Sequence, residues 1–451
     1  MKHRILIILL ILLSNSLVFA QEAENQSYQF SIQEAIDFAL ENNRAAKNAS
    51  LDIEAAKKQK WETTATGLPQ ISAAVDYQNW LKQQVSLIPA EFFGGNPGEF
   101  AEVTFGTKHN VTALATLTQK IFDGSYLVGL QSAKVYLEIS ENAKIKTDLE
   151  VRKAVINAYG NVLLSEEGLK IILKNQEILK KNLDETTKIY ENGLAEEENV
   201  EQLQITLSNL ESDLNKLQRL RDIAYQMFNI SVGLGVNTDT TLTDSLETLT
   251  MQNIDLGLLD ADDNIENTID YKIAENDKVS KELLLKLEKS KFIPTLDAFI
   301  NGGYSGFSDK FTFTNNNQDW FGSSLFGVSL NIPIFSSFMR NASTQRAKIN
   351  LDKAEIQLTD VEEHLRLQIA TAKTEYQYAI EDYENKKQNL NLAERIEQKN
   401  QTKFFEGLAS SFDLRQAQTQ LYTAQQEYLQ AMLDVITRKA ELETILNTPS
   451  Y

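Results

Sequence analysis

The strongest pattern along the chain is a helical stripe. Ala347, Leu351, Ala354, Leu358, Val361, Leu365, Ile369, Ala372, Tyr376, Ala379 and Tyr383 recur every three or four positions, the period of one buried helix face. From about Arg340 to Phe405 the chain has neither proline nor glycine. A helix of that length would run roughly 100 Å at 1.5 Å per residue, which fits no compact domain and predicts a coiled-coil assembly. A second stripe, Val200, Leu203, Leu207, Leu210, Leu214 and Leu217, is interrupted at Arg221 and resumes at Ala224. Other stretches carry a period of two. Ile71, Ala73, Val75 and Tyr77 alternate with Ser72, Ala74, Asp76 and Gln78, and Phe326, Val328, Leu330 and Ile332 alternate with Leu325, Gly327, Ser329 and Asn331. The pattern predicts strands at about 70–81, 110–121, 295–304 and 323–333. Alternation over about ten residues suits a membrane strand, but taken alone it fits a half-buried strand of a soluble sheet better.

The two kinds of pattern occur twice, in the same order. Tyr190-Glu-Asn-Gly193-Leu194-Ala195 returns as Phe404-Phe-Glu-Gly407-Leu408-Ala409, and six of 18 aligned positions up to Leu207 and Leu421 are identical. Ile121-Phe122 returns as Ile334-Phe335, and Pro69 as Pro294. The chain therefore reads as a tandem duplication, with about 12 extra residues between Pro69 and Ile121 in its first copy. Each copy is expected to run helix, strand, loop, strand, very long helix, tight turn, helix. The first opens on Ser31-Ile-Gln-Glu34, a capping-box pattern, and its first helix is predicted to end near Gly67-Leu68-Pro69, where proline stops it. The expected organisation is a signal peptide over 1–20, a first repeat over 21–236, a junction segment over 237–266 and a second repeat over 267–451.

The N-terminus sets the compartment. Lys2, His3 and Arg4 precede the apolar run Ile5–Leu13, and Val18-Phe19-Ala20 supplies the small residues read by a signal peptidase, predicting export with cleavage after Ala20. That run is too short to span a bilayer, which takes about 20 residues. No other segment reaches such a length, so membrane entry would have to be as β-structure. The chain has no cysteine, which excludes a lipoprotein anchor, disulfides and thiolate metal sites. A net charge of −19 argues against nucleic acid as a partner. Of the three histidines, His3 leaves with the signal, and His109 and His364 stand apart. There is no phosphate loop or dinucleotide fingerprint. Clusters such as Glu196-Glu197-Glu198 and Glu362-Glu363 suit solvated helix faces. The chain is accordingly expected to hold no cofactor and no metal and to be no enzyme.

Four strands cannot close a barrel, and open edges are not tolerated in lipid. Either the strands lie outside a membrane or several chains pool them. Three chains would supply twelve strands and a ring of helices continuing them. At this point the chain resembles a family. Ile32-Gln-Glu34-Ala35-Ile36 with Glu41-Asn42-Asn43, Gln119-Lys-Ile-Phe122-Asp123-Gly124, and the two Gly-Leu-Ala turns, in this order and at duplicated spacing, resemble the TolC-type outer-membrane factors of efflux pumps and type I secretion. The resemblance covers nearly the whole mature chain. It implies an α+β membrane protein, a homotrimer with a twelve-stranded barrel in outer-membrane lipid, continued by a long periplasmic α-helical barrel. It implies a passive exit duct of a Gram-negative outer membrane, fed by an inner-membrane pump through a periplasmic adaptor. The junction segment would supply part of an equatorial elaboration. A pore-less structural or surface coiled-coil protein is the alternative, disfavoured by the paired strands.

The resemblance also implies site residues. The tip turns Asn192-Gly193-Leu194 and Glu406-Gly407-Leu408 would meet the adaptor. Asp413 matches the first of two aspartate rings that narrow the entrance, while Gln416 holds the second position, so that ring is absent. The family's charged latch of tyrosine, arginine and aspartate is replaced by Phe404, Ala409 and Asn199. Asp413 would serve equally as a helix N-cap residue. Tyr77, Trp80, Trp320 and Phe321, near strand ends, would sit at a membrane interface, and the loops from about Lys82 to Gly106 and from about Gly306 to Phe321 would face the exterior.

Overall fold

The structure is a computed structural model describing residues 27–261 and 263–449; the expected signal peptide lies outside the described residues. Two compact units are present, and neither is a sequence half. The first draws on the segment up to Asp52, on Glu141–Ile273 and on the chain from Thr359; the second comprises Ile53–Ser140 and Ala274–Leu358. Both halves of the duplication contribute to both units.

The first unit is helical. It holds β1 (Tyr28–Phe30), α1 (Ile32–Asn42), most of α3 (Gly124–Glu191), α4 (Glu197–Val232), β6 (Thr240–Leu242), α5 (Leu246–Gln252), most of α7 (Met339–Phe405) and α8 (Ser411–Leu446). The stripe that predicted α7 is its buried face: Ala354, Leu358, Leu365, Ile369, Ala372, Tyr376, Ala379 and Tyr383 are all buried. From Leu365 on, they join Ile36, Val155, Tyr159, Phe228, Val435 and Ile436 in one large core, where each buried aliphatic or aromatic side chain contributes about 1.5–3 kcal/mol. Ser31 does cap α1: its hydroxyl accepts the Glu34 N–H, and Glu34 returns to the Ser31 N–H at 2.8 Å.

The first helix is not continuous to Gly67. It breaks at Asn43, which takes extended backbone (ψ 138°) and separates α1 from α2 (Arg44–Ala65). Its side chain stabilises the break, donating to the Ser231 carbonyl (2.7 Å) and accepting the Ala45 N–H (2.7 Å). The chain end of α4 comes close beside it. Gly233 has φ +94°, and a Cβ there would lie 2.5 Å from the Asn42 carbonyl oxygen.

The junction segment is tied to the helical core. β6 pairs in parallel with β1. Asp244 is the knot: its Oδ2 accepts the Ile32 N–H (2.8 Å) and the hydroxyl of fully buried Tyr159 (2.8 Å). Tyr376 makes a second tether, donating to the Asn253 carbonyl (2.6 Å) and accepting the Asp255 N–H (2.8 Å).

The second unit, which also holds most of α6 (Ile269–Ser290), is built on a four-stranded antiparallel sheet in the order β2 (Gln70–Asn79), β5 (His109–Phe122), β7 (Thr295–Ser308), β8 (Trp320–Asn331). The last two differ in extent from the sequence expectation. β7 runs on to Ser308 because it stays paired with β5 as far as His109, and β8 starts at Trp320 because that residue pairs with Gly306. The loop between them is thus only 309–319. The first loop holds an unanticipated hairpin, β3 (Val85–Pro89) and β4 (Phe100–Thr104), which accommodates the extra residues of the first copy.

Candidate functional site: an open sheet and two helical turns

The sheet's register sorts its residues by face, since directly opposed residues point the same way. One face carries the rows Ile71–Leu117–Ile300–Phe326 and Val75–Ala113–Tyr304–Gly322. The other carries Ser72–Thr116–Asn301–Leu325 and Asp76–Thr112–Ser305–Phe321, with Thr112 and Ser305 hydroxyls 3.4 Å apart. One face is apolar and the other mostly polar. The apolar face is not covered by the chain: Ile71 is 75 % exposed, Val75 71 % and Phe326 67 %. Both outer strands, β2 and β8, have a free edge and are exposed throughout or nearly so.

Glycines let the strands and their side chains approach. A Cβ on Gly327 would meet the Phe299 ring at 2.4 Å, and one on Gly303 the Ala113 carbonyl oxygen at 2.2 Å. At one end of the sheet Tyr77 stands edge-on to Phe311 and Phe313, and Phe313 tilts against Trp320. Tyr77 also hydrogen-bonds His109 Nδ1 at 2.8 Å, which gives that histidine a structural partner. At the other end the Gln119–Gly124 motif makes a strand-to-helix joint. Gln119 donates to the Gly67 carbonyl (2.8 Å), and Asp123 accepts the Ser125 N–H (2.8 Å) at the start of α3 while pairing with Lys120 (3.2 Å).

The two Gly-Leu-Ala turns share one geometry. Gly193 (φ +79°) donates to the Tyr190 carbonyl and Leu194 to that of Ile189. Gly407 (φ +72°) donates to the Phe404 carbonyl and Leu408 to that of Lys403. Both are Schellman endings with glycine in the left-handed position, satisfying the last carbonyls of α3 and α7. Each turn thrusts a leucine into solvent, Leu194 at 80 % and Leu408 at 74 % exposure, flanked by exposed Asn192 and Glu406.

The helices that follow start differently. Glu196 precedes α4 with no side-chain cap. Ser410 caps α8 within a full capping box whose third helical residue is Asp413: Asp413 Oδ2 accepts from the Ser410 hydroxyl (2.7 Å) and N–H (3.0 Å). Asp413 is therefore a capping residue, though at the N3 position and not at the N-cap. Those two bonds from Ser410 hold its carboxyl below the usual carboxylate range, so it is ionised at any ordinary pH. It is exposed, as is Gln416 one turn on, so both side chains remain available to line a surface. Phe404 packs edge-to-face with Phe405 at 5.4 Å. Ala409 and Asn199 are half-buried; among the described residues no hydrogen bond or ring contact joins Phe404, Ala409 and Asn199 to one another.

Among the described residues there is no group of three or more His, Asp or Glu arranged to hold a metal ion, and no helix long and apolar enough to cross a membrane. His364 bonds only within its own helix turn, to the Asp360 carbonyl at 2.8 Å and the Asp360 side chain at 3.6 Å.

Compared with known proteins, residues 35–233 and 284–448 match the outer membrane efflux protein family, most of the chain. The chain belongs to that family. It is an outer-membrane efflux channel protein, as the resemblance implied. Among relatives, it is 22 % identical to the antibiotic efflux pump outer membrane protein ArpC and to the toluene efflux pump outer membrane protein TtgC of Pseudomonas putida, over 93 % of this chain and 84 % of theirs. The fold is shared with solved channels. CusC aligns with a TM-score of 0.73 at 18 % identity over 95 % of each chain. VceC of Vibrio cholerae aligns at 0.70 with 16 % identity, over 92 % of this chain and 95 % of that one. The open-state MtrE channel of Neisseria gonorrhoeae aligns at 0.70 with 17 % identity, over 92 % and 88 %.

The β3–β4 hairpin and the Tyr159–Asp244 knot were missed in the sequence. The β3–β4 hairpin had a signal, the alternation at Val85-Ser-Leu-Ile88 before Gly94-Gly95. The Tyr159–Asp244 knot had none, because a tyrosine in an apolar stripe reads as core.

Proposed function

We propose that three copies pool their sheets into a closed twelve-stranded barrel in the outer membrane, β2 of one copy pairing with β8 of the next. The observation that carries this is the open sheet with one uncovered apolar face. Ile71, Val75 and Phe326 would be costly to leave in water, and the unpaired edges of β2 and β8 would be costly to leave in lipid. Closing three sheets edge to edge removes both costs. The apolar face then meets lipid, Tyr77, Trp80 and Trp320 sit in the aromatic girdle, and the rows containing Thr112, Thr116, Asn301 and Ser305 line the water-filled bore, with Phe321, which shares the row of Thr112 and Ser305, turned to the bore and not to the interface expected of it. The β3–β4 hairpin and the 309–319 loop face the exterior. A pore-less coiled coil would have no use for such a sheet.

The helical part continues the duct into the periplasm. The junction segment held by Asp244 forms its equatorial thickening, and the Schellman turns at Asn192–Leu194 and Glu406–Leu408 form its periplasmic tip. Their exposed leucines are suited to the adaptor, through which an inner-membrane transporter delivers cargo. The duct is passive, and selection of cargo rests with that transporter, whether of an efflux pump or a type I secretion system. Asp413, one per subunit, forms an acidic ring at the constriction with Gln416 beside it. With Phe404, Ala409 and Asn199 in place of a charged latch, packing keeps the tip narrow.

Planar-bilayer recording of the purified protein tests this reading. Stable single-channel steps are expected, with cation selectivity that falls in Asp413→Asn because three ring charges are lost. Absence of any conductance would sink the duct; conductance with unchanged selectivity in Asp413→Asn would remove Asp413 from the ring.

A further inference from the structure

We propose that the bore carries a binding track for amphipathic organic cations, an aromatic strip on β7 and β8 flanked by carboxylates. The inference rests on the reading of the polar sheet face as the bore, and it gives the duct an affinity of its own for what passes through it.

The polar face is strongly polar in only one half. On β2 and β5 it presents Ser72, Asp76, Thr112 and Thr116. On β7 and β8 the same face presents Phe299, Phe307, Phe321 and Leu325, with only small polar residues such as Ser305 and Ser323 between them. These apolar side chains form two steps. In one, the rings of Phe307 and Phe321 tilt against each other at 6.0 Å. In the other, Leu325 is the diagonal neighbour of Phe299, whose ring lies over Gly327, where a Cβ would stand 2.4 Å from it. Between the steps the row of Gly303 and Ser323 leaves the backbone nearly bare. Phe299 and Phe307 are about 26 Å apart along the strand at about 3.3 Å per residue, so the strip runs through most of the roughly 30 Å of a bilayer's hydrocarbon. Nothing in the chain covers it: Phe307, Phe321 and Leu325 are all exposed. Inside a closed barrel they face water, and a solute that covers them removes that cost.

Charge selects the solute. β7 and β8 hold one charged residue, Asp297, and neither lysine nor arginine. Asp297 stands two positions before Phe299 on the same face. Lys120 opposes it across the ladder but bonds to Asp123, at 3.2 Å. The one charge on β2 is Asp76, which has no hydrogen bond or ion pair among the described residues. In the closed barrel β2 of the next copy lies about 5 Å from β8, so its Asp76 carboxylate flanks the strip. A positive centre there is attracted by the carboxylate and by the ring faces together, while an anion is repelled. The complementary solute therefore has an apolar or aromatic body and a permanent positive charge. Exposed contacts of this kind are individually weak, so the solute is held briefly at one step and passed to the next.

Planar-bilayer recording of the full-length protein, with tetraphenylphosphonium as the probe, tests the track. Brief current blockades are expected. Phe307→Ser/Phe321→Ser should shorten their residence about tenfold, and Asp76→Asn about threefold. Tetraphenylborate, the same shape with the opposite charge, and tetramethylammonium, a cation without an apolar body, should give none. Phe326→Leu, on the opposite face, should keep the parent's residence. Conductance without blockades, or residence unchanged in both strip variants, overturns the track and leaves the duct standing. A residence that Asp413→Asn shortens and the strip variants do not also overturns it, because the site then lies at Asp413. If the double phenylalanine variant fails to assemble, Asp76→Asn decides alone. If no conductance is seen, the duct reading falls, and equilibrium dialysis of tetraphenylphosphonium against the detergent-solubilised protein decides the strip by itself. Retention that the variants lose supports it; no retention, or retention they leave unchanged, refutes it.

Discussion

Tyr159→Phe tests how the junction segment is held. The hydroxyl shares its one proton between Asp244 Oδ2 (2.8 Å) and the Phe30 carbonyl (3.0 Å), and accepts the Asp244 N–H at 3.3 Å. Its ring is fully buried against Phe228, at 5.8 Å and near perpendicular, so phenylalanine should keep the packing. The loss is then confined to the hydrogen bonds. Phe30 keeps the Thr243 N–H (3.0 Å) and Asp244 keeps the Ile32 N–H, so neither acceptor is orphaned. One charge-assisted bond at about 1.5–3 kcal/mol dominates, and a net loss of about 2 kcal/mol is expected. Through local opening this is about a thirtyfold faster exchange of the amides of Tyr28, Ile32 and Thr243, which are bonded to or across the segment. Hydrogen exchange with peptide-level mass readout measures it, with the α7–α8 amides as internal reference. Exchange within twofold of the parent at those three amides would show that β1–β6 pairing alone holds the segment. Uniform acceleration across α7 and α8 would show a disturbed core, which this reasoning does not allow.

Gly407→Ala should cost about 1–2 kcal/mol, the left-handed penalty alone, since open space surrounds it. Gly233→Ala should cost clearly more, because its Cβ also strikes the Asn42 carbonyl; equal melting temperatures for the two variants would refute the argument. Ser410→Ala should cost about 1 kcal/mol of α8 stability and speed exchange at its first turn, with no matching effect at α4, which has no side-chain cap. The Asp413 carboxylate is held low, so its capping-box contribution should be present above the usual carboxylate range and be lost only as pH falls through its lowered value. Circular dichroism of the parent and Asp413→Asn through an acid titration would show this.

Periodicity made the long elements legible. A stripe such as Leu365, Ile369, Ala372 and Tyr376 encodes both a helix and its buried face, because burial and the 3.6 period are the same fact. The strands were legible from alternation at Ile71–Tyr77, but their ends were not, since the length of β7 depends on its partner β5 and not on its own residues. The break at Asn43 escaped because asparagine is tolerated within a helix, and here the distant Ser231 carbonyl decides its conformation. Glycine within each Gly-Leu-Ala announced the two Schellman turns, since only the left-handed position demands it. Ser410-Ser-Phe-Asp413 is a readable capping box, yet the cap role of Asp413 and the pore role proposed for it would share one side chain, and spacing cannot separate them.

The account rests on three chains sharing one barrel. Native mass spectrometry of the mature protein, released from mild detergent, measures this directly. The expected species has three times the chain mass and persists at submicromolar concentration, because separating the copies would expose the edges of β2 and β8 to detergent. A stable, folded monomer would contradict it.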